Sequence, residues 1–204
     1  MLRIRPFLFI IFVFLSFSSC KAVRELQTLF NCEFKMRDFA GLNLAGIPLD
    51  GSKSITDFGL LDAAKLKLAY DRNELALNWT LNVDVRNPNP SNAAINSVDW
   101  IFLIDNIEVM RGALNQRFAV SANGGTAVMP LSLGINLNKL FSGKSMSWMF
   151  DLAGDMSQQN IDSKRIQLKI RPSLNVAGTQ IKLPGYMTVG TTYKKAQTYS
   201  SSQP

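Results

Sequence analysis

The chain has 204 residues, of which 47% are hydrophobic, and this suits one domain with a sizeable core. It contains 22 Lys and Arg against 15 Asp and Glu, a formal net charge of +7, and no histidine. Because histidine is absent and cysteines number two, Ser-His-Asp and Cys-His catalysis and the usual zinc sites are excluded. Two acids in one cleft could still catalyse hydrolysis, but no such pair stands out. We therefore expect a protein that is not an enzyme and that holds no metal or cofactor.

The N-terminal residues predict an export signal followed by a lipid anchor. Two arginines precede the apolar run 7–15, which is too short to span a membrane, and small polar residues follow it. The stretch ends in Leu-Ser-Phe-Ser-Ser-Cys, which resembles the lipobox of bacterial lipoproteins. Residues 1–19 are thus predicted to be a lipoprotein signal peptide, and Cys20 to carry acyl chains such as palmitate. Lys21 in place of Asp favours the outer membrane. An uncleaved N-terminal anchor is the alternative.

The rest of the chain is predicted to divide into a tether, one domain and a tail. The tether covers residues 20–32 and the domain 33–193, and the polar, aperiodic residues 194–204 are expected to be disordered. If Cys20 carries lipid, Cys32 has no partner within the chain. We expect Cys32 to be a small, partly buried apolar residue at the start of a strand, with intermolecular pairing as the alternative.

Apolar and polar residues alternate with a period of two through most of the domain, which predicts β-strands. The pattern is clearest over residues 75–86, and it recurs over 98–104 and 166–170. An Asp-Asn pair follows residues 98–104 and predicts a turn into a partner strand over 107–110. Asn-Gly-Gly predicts another turn at 123–125. Short antiparallel strands with frequent turn signals predict a two-sheet β-sandwich.

Two stretches break this rhythm and predict one or two short helices. Residues 55–70 carry apolar residues at helical spacing, namely Leu60, Leu61, Ala64 and Leu68, although the last part also fits a strand. In residues 136–155, Ser145 is predicted to cap a helix and Gly154 to stop it. The apolar residues of this second stretch either cover one end of the core or form a lip around a ligand groove.

Positive charge is concentrated near the C-terminus, since residues 163–204 hold seven basic residues and no acid. A solvated strand face is the plainer interpretation. The alternative is contact with an anionic membrane surface or lipid phosphate through Arg165, Lys169 and Arg171. Nucleic acid is not expected as a partner of an exported and anchored protein.

The sequence Leu-Asn-Val-Asp-Val-Arg-Asn-Pro-Asn-Pro ends the clearest strand. It resembles the hallmark of the late embryogenesis abundant type 2 family, also called the water-stress and hypersensitive-response domain. The matching residues are Val83, Val85, Asn87, Pro88 and Asn89, and the neighbouring segments agree in order over most of the domain. Proline cannot donate to a sheet ladder and asparagine can close a turn, so the motif is interpreted as structural.

The resemblance implies a β-sandwich of the fibronectin-III or immunoglobulin type and an association with water stress and desiccation, without known catalysis. It supplies no catalytic residues. Bacterial members are often lipoproteins, which agrees with Cys20. We therefore expect a non-enzymatic, membrane-anchored lipoprotein with a protective or interaction role in the cell envelope. The alternatives are a lipid-binding or lipid-transfer module and a structural subunit of an envelope assembly. A lipid or an envelope protein would then be the partner.

Overall fold

The computed structural model describes residues 27–49, 58–140, 142–159, 165–176 and 179–195. Its strands are β1 (Glu33–Leu44), β2 (Ile47–Pro48), β3 (Ala76–Asn87), β4 (Ala93–Ile95), β5 (Ser97–Ile104), β6 (Ile107–Leu114), β7 (Phe118–Val120), β8 (Gly125–Asn136), β9 (Ile166–Val176), β10 (Thr179–Lys182), β11 (Met187–Val189) and β12 (Lys194–Lys195). The helices are α1 (Leu60–Asp71), α2 (Leu137–Leu140) and α3 (Met146–Ser157). Residues 27–31 are also helical.

The strands form two antiparallel sheets. The first has the order β12-β1-β3-β8, with β2 also paired to β1, and the second has the order β10-β9-β5-β6, with β11 also paired to β9. β4 and β7 pair with each other outside these sheets. The predicted fold class, a mainly β antiparallel sandwich with a few short helices, is confirmed.

β3 shows why the period-two pattern produces this architecture. The strand lies between β1 and β8, so hydrogen bonds hold both of its edges, and its apolar side chains all point to one face. Those side chains, from Leu77 to Val85, are buried as predicted. The ring of Trp79 lies 5.3 Å from that of Phe102 on β5. The two sheets are therefore in direct contact at the centre of the sandwich.

Two hairpin turns adopt a backbone conformation that few residues tolerate. Asp105 and Asn106 join β5 to β6 with φ angles of 50° and 64°, a left-handed conformation in which Asn and Asp are enriched. Asn123 and Gly124 precede β8 with φ angles of 58° and 86°. Both turns lie where the sequence predicts them. β6 is longer than predicted and continues to Leu114.

α1 is present as predicted, but its predicted apolar face is the face that solvent contacts. Leu60 is 89% exposed, Leu61 80% and Leu68 49%. The helix is held instead by Leu66, which is buried, together with the partly buried side chains that follow it. The helix therefore lies where the spacing predicts it, but the residues that gave this spacing are mostly exposed.

The second predicted helical stretch forms α2 and α3. The Ser145 hydroxyl accepts a hydrogen bond from the backbone N–H of Trp148 at 3.2 Å, which confirms the predicted cap. Gly154 does not stop α3, which continues to Ser157. Met149 is buried in the core, as are Leu152, Ala153 and Met156. Met149, Leu152 and Ala153 therefore pack in the core, and Met156, which follows Gly154, extends that packing.

Gln159, just after α3, bonds to the outer edge of β1. Its side-chain oxygen accepts from the backbone N–H of Phe39, and its side-chain nitrogen donates to the carbonyl of Phe39, each at 2.7 Å. Nearer the start of β1, the N–H of Met36 donates to the carbonyl of Gly190 at 2.8 Å. On this edge of β1, where no long strand pairs with it, hydrogen bonds from a side chain and a loop therefore satisfy backbone groups.

The fold extends beyond both predicted domain boundaries. Leu29 and Cys32 belong to the core, although the sequence assigns them to the tether. Lys194 and Lys195 pair with the first residues of β1, although the sequence assigns them to the tail. The signal peptide 1–19 and the other residues of the tether and tail lie outside the described residues. In the part of the chain that the structure describes, no helix is both long and apolar enough to span a bilayer.

Candidate functional site

Asn87 is the centre of the Asn-Pro-Asn turn and is fully buried at the end of β3. Its side-chain nitrogen donates to the carbonyl oxygens of Ser91 at 2.8 Å and Val120 at 3.1 Å. Its side-chain oxygen accepts from the backbone N–H of Asn89 at 3.1 Å and from the Asn89 side chain at 2.7 Å. An amide side chain has two donors and two lone pairs. Groups of the same chain therefore use the whole hydrogen-bonding capacity of Asn87.

Asn89 connects this turn to the N-terminal helical residues and to the loop before β8. Its side-chain nitrogen donates to the carbonyl of Thr28 at 2.9 Å, and its side-chain oxygen accepts from Asn31 at 3.2 Å. Its backbone carbonyl accepts from the N–H of Asn123 at 2.8 Å. Three segments that are far apart in the sequence meet at this one turn.

The other motif residues also have structural positions. Pro88 has no N–H and follows the last ladder residue of β3, where a donor would have no strand to reach. Val83 and Val85 are buried on the inner face of β3. The prediction that β3 ends at this motif is confirmed, and the partners of both asparagines lie within the chain. The motif therefore has a structural role, since its hydrogen bonds connect separate segments of the chain.

The three basic residues predicted to contact an anionic surface are distributed along β9. Arg165 precedes the strand and Arg171 lies six positions further on, a distance of about 20 Å at the usual rise of a strand. Arg165 donates to Asp155 at 2.8 Å, and its guanidinium lies 5.1 Å from the ring of Trp148. Lys169 lies between the two arginines. Lys169 and Arg171 lie in β9 and Arg165 lies just before it, so the three residues are spread along the chain and do not form one cluster.

Arg171 is paired with an acid that the local sequence gives no sign of. Asp99 on β5 accepts from Arg171 and from Lys182 on β10, each at 2.7 Å. Arg171 also lies 4.8 Å from the ring centre of Tyr186. Burial alone would raise the pKa of Asp99, but the hydrogen bonds from Lys182 and Arg171 outweigh burial and lower it. The C-terminal segment lacks acids, but the pairing of β5 with β9 places Asp99 next to Arg171.

Replacing Asp99 with asparagine should destabilise the domain in a pH-dependent way. A carboxyl whose pKa is lowered on folding stabilises the fold above its unfolded pKa of about 3.9, and this contribution disappears as the pH falls. We expect a loss of about 1–2 kcal/mol at pH 7 that shrinks between pH 5 and pH 2. Urea unfolding at several pH values measures it. Glu74→Gln, at an exposed position after α1, is the control, and a difference constant with pH would contradict the assignment.

Of the two cysteines, Cys20 lies outside the described residues and Cys32 lies in the core. The Cys32 thiol donates to the carbonyl of Thr28 at 3.4 Å, and the sulfur is fully buried. Burial, and secondarily the negative charge of Glu33, raise the pKa of this thiol to about 11. The residue matches the expected small apolar role, and its burial leaves no surface for pairing with a second chain.

In a Cys20→Ser chain, Cys32 should react with a thiol reagent only after unfolding. At pH 8 a thiol of pKa about 11 is ionised roughly 100-fold less than one of the ordinary pKa of 9.0, and burial slows its reaction further. Titration with an aromatic disulfide should give no fast reaction in buffer and one equivalent in denaturant. Fast reaction of the folded chain would contradict the buried position of Cys32.

A pocket of about 320 Å³ lies between the end of α1 and the loop before α3. Its lining is mainly polar and consists of Tyr70, Asp71, Asn73, Asn138, Ser142, Gly143, Lys144 and Met149. The Asn138 amide already accepts from the N–H of Leu75 at 3.1 Å and donates to the carbonyl of Tyr70 at 3.2 Å. Acyl chains require an apolar lining. This pocket does not correspond to the apolar groove expected of a lipid-transfer module.

Most of the described carboxylates pair with cations or amides. Asp38 accepts from Arg37 at 2.7 Å and from Asn82 at 2.6 Å, and Glu108 accepts from Arg111 at 2.8 Å. Within the described ranges, no group of three or more His, Cys, Asp or Glu is placed to hold a metal ion.

The fold and the turn define an antiparallel β-sandwich protein with an internally satisfied Asn-Pro-Asn motif. No protein-family model and no curated protein matches the chain. A crystal structure of a protein from Archaeoglobus fulgidus is similar at 13% identity and a TM-score of 0.34, covering 60% of this chain and 86% of that one. The solution structure of a candidate late embryogenesis abundant protein is similar at 12% identity and a TM-score of 0.34, covering 92% of this chain and 87% of that one.

Proposed function

We propose that this chain is a non-enzymatic lipoprotein that Cys20 anchors in the bacterial cell envelope, at the outer membrane. Its late embryogenesis abundant type 2 domain, as the sequence resemblance implies, serves protection or interaction under water stress. The observation that carries the proposal is the lipobox-like stretch that ends in Cys20, a short distance in sequence from the fold. Six residues separate Cys20 from residue 27, where the described structure begins. That length of chain spans at most about 25 Å, so lipid on Cys20 would hold the domain close to a membrane.

The Asn-Pro-Asn turn supports a non-enzymatic role. The side chain of Asn87 is its most buried polar group, and all of the donors and acceptors of that side chain form hydrogen bonds within the chain. Most of the described acids pair with cations, as Asp99 does with Arg171 and Lys182. Hydrolysis by two carboxylates needs both acids on one cleft. The features most distinctive in the sequence therefore act in folding.

Metabolic labelling with a fatty acid tests the anchor. We expect the full chain to incorporate label, the Cys20→Ala chain to incorporate none, and the Cys32→Ala chain to be labelled like the wild type. Cys32→Ala is a matched control because it removes the other cysteine, which is buried. Separation of inner and outer membranes then locates the labelled chain. Label that persists on Cys20→Ala would overturn the proposal.

The alternative of a structural subunit in an envelope assembly is favoured by α1. Leu60 and Leu61 expose most of their apolar surface on consecutive positions of a helix, and Leu68 adds to the same surface. Exposed apolar groups of this kind commonly mark contact with another protein. A photo-cross-linking residue at position 61 should capture an envelope protein in intact cells, whereas the same residue at position 132, on the outer face of β8, should not. Equal capture at both positions would count against this role.

A further inference from the structure

Both ends of the described chain emerge at the same end of the sandwich. Glu33 at the start of β1 is paired with Arg86 near the end of β3 and with Lys195 in β12. The Asn-Pro-Asn turn lies there too, since it follows β3 directly. We call this region the terminal end. α1 precedes the start of β3 and lies at the opposite end, about 36 Å away at the usual rise of a strand.

The first sheet presents mostly positive charge at the terminal end. This part of the described chain contains two carboxylates, Glu33 and Asp84, and four cations, namely Lys35, Arg86, Lys194 and Lys195. Glu33 is already used, because Arg86 donates to it at 2.6 Å. The ring of Tyr193 lies 4.4 Å from the Arg86 guanidinium and 5.6 Å from the Lys35 ammonium. Lys194 and Lys195 are both exposed.

The second sheet adds to this positive charge. Arg117, Arg171 and Lys182 lie near the same end, where the described acid is Asp99. At the opposite end, the described residues 58–74, 105–108, 137–159 and 165 contain six cations and seven carboxylates. The positive charge of the described fold is therefore concentrated where the chain enters and leaves.

We propose that the terminal end binds the anionic headgroups of a phospholipid membrane. This inference rests on the proposed anchor. The described chain begins at this end, so a lipid on Cys20 would lie within about 25 Å of it. A basic surface close to anionic lipid gains affinity with each lysine or arginine, and tyrosine is favoured at the boundary between headgroups and water. The domain would thus rest on the membrane through β12 and the ends of β1 and β3, with α1 directed away from it.

Vesicle binding by full-length chains with Cys20→Ser tests this surface without the anchor. The parent chain is compared with one that adds Lys194→Gln and Lys195→Gln, and with one that adds Lys65→Gln and Lys67→Gln on α1. The two double variants remove the same charge at opposite ends. Co-sedimentation with phosphatidylcholine vesicles, with and without phosphatidylglycerol, gives the preference for anionic lipid. The N-terminal apolar run is the same in all three chains, so any vesicle binding that it causes is the same in each.

We expect the parent to prefer vesicles with phosphatidylglycerol, and the variant at 194 and 195 to lose about 30-fold of that preference. The α1 variant should keep it, and equal melting temperatures should show that all three chains are folded. No preference in the parent, or equal losses in the two variants, would overturn the proposal. Fatty-acid labelling of Cys20 is a separate result, so a missing anchor and a missing lipid surface are distinguishable.

Discussion

Replacing Asn87 with alanine is expected to lower the free energy of unfolding by about 3–4 kcal/mol. The substitution removes a buried side chain that donates twice and accepts twice. It leaves the carbonyls of Ser91 and Val120 and the N–H of Asn89 without that partner, and each buried polar group left unpaired costs about 1–3 kcal/mol. For a domain of this size the melting temperature should fall by about 10 °C. Thermal and urea unfolding measure both quantities.

Asn92→Ala is the matched control for this prediction. Asn92 lies in the same loop but is exposed, and its side chain accepts one hydrogen bond, from the N–H of Ala122 at 3.0 Å. Its loss should cost about 1 kcal/mol or less. If Asn87→Ala proved as stable as Asn92→Ala, the motif would not hold the fold together, and its role would have to be sought in binding.

Phe102→Ala should cost about 4 kcal/mol, because Phe102 is fully buried and contacts Trp79 of the facing sheet. The cost includes both the lost apolar burial and the cavity left between the sheets. Urea unfolding at constant pH measures it. Ile107→Ala, at an exposed position at the start of β6, should change stability by about 0.5 kcal/mol or less.

The same measurement bears on the lipid-transfer alternative. A lipid that entered between the sheets would have to separate Trp79 from Phe102. A cost below about 1 kcal/mol for Phe102→Ala would mean that this centre is loosely packed, because well-packed core phenylalanines cost about 3–5 kcal/mol. That outcome would favour a sandwich that can open.

The strands could be predicted from the sequence because their signal is local. In β3, each residue's neighbours two positions away already show which face it occupies, and the Asn-Pro-Asn motif marks where pairing ends. The turn at Asp105 and Asn106 is also a local choice, since these residue types tolerate positive φ angles. Fold class and motif residues follow from such short-range rules.

Other features depend on contacts between distant parts of the chain. Arg171 looks unpaired in the sequence, but Asp99 lies opposite it once β5 and β9 pair. Asn89 reaches Thr28 across 61 positions. The spacing of apolar residues in α1 cannot show which side faces the core, because an isolated helix has no core to face. α3 passes Gly154, since burial of Met156 outweighs a glycine penalty of about 1 kcal/mol.

If the proposed anchor holds the chain at a membrane, the contact between Gln159 and Phe39 has a consequence for neighbouring copies. Proteins confined to a surface meet one another far more often than proteins in free solution. An open strand edge would then act as a template on which neighbouring copies add strand by strand. By occupying the N–H and carbonyl of Phe39, the Gln159 side chain blocks such addition in the middle of β1. One amide after a helix would thus help to keep such copies separate.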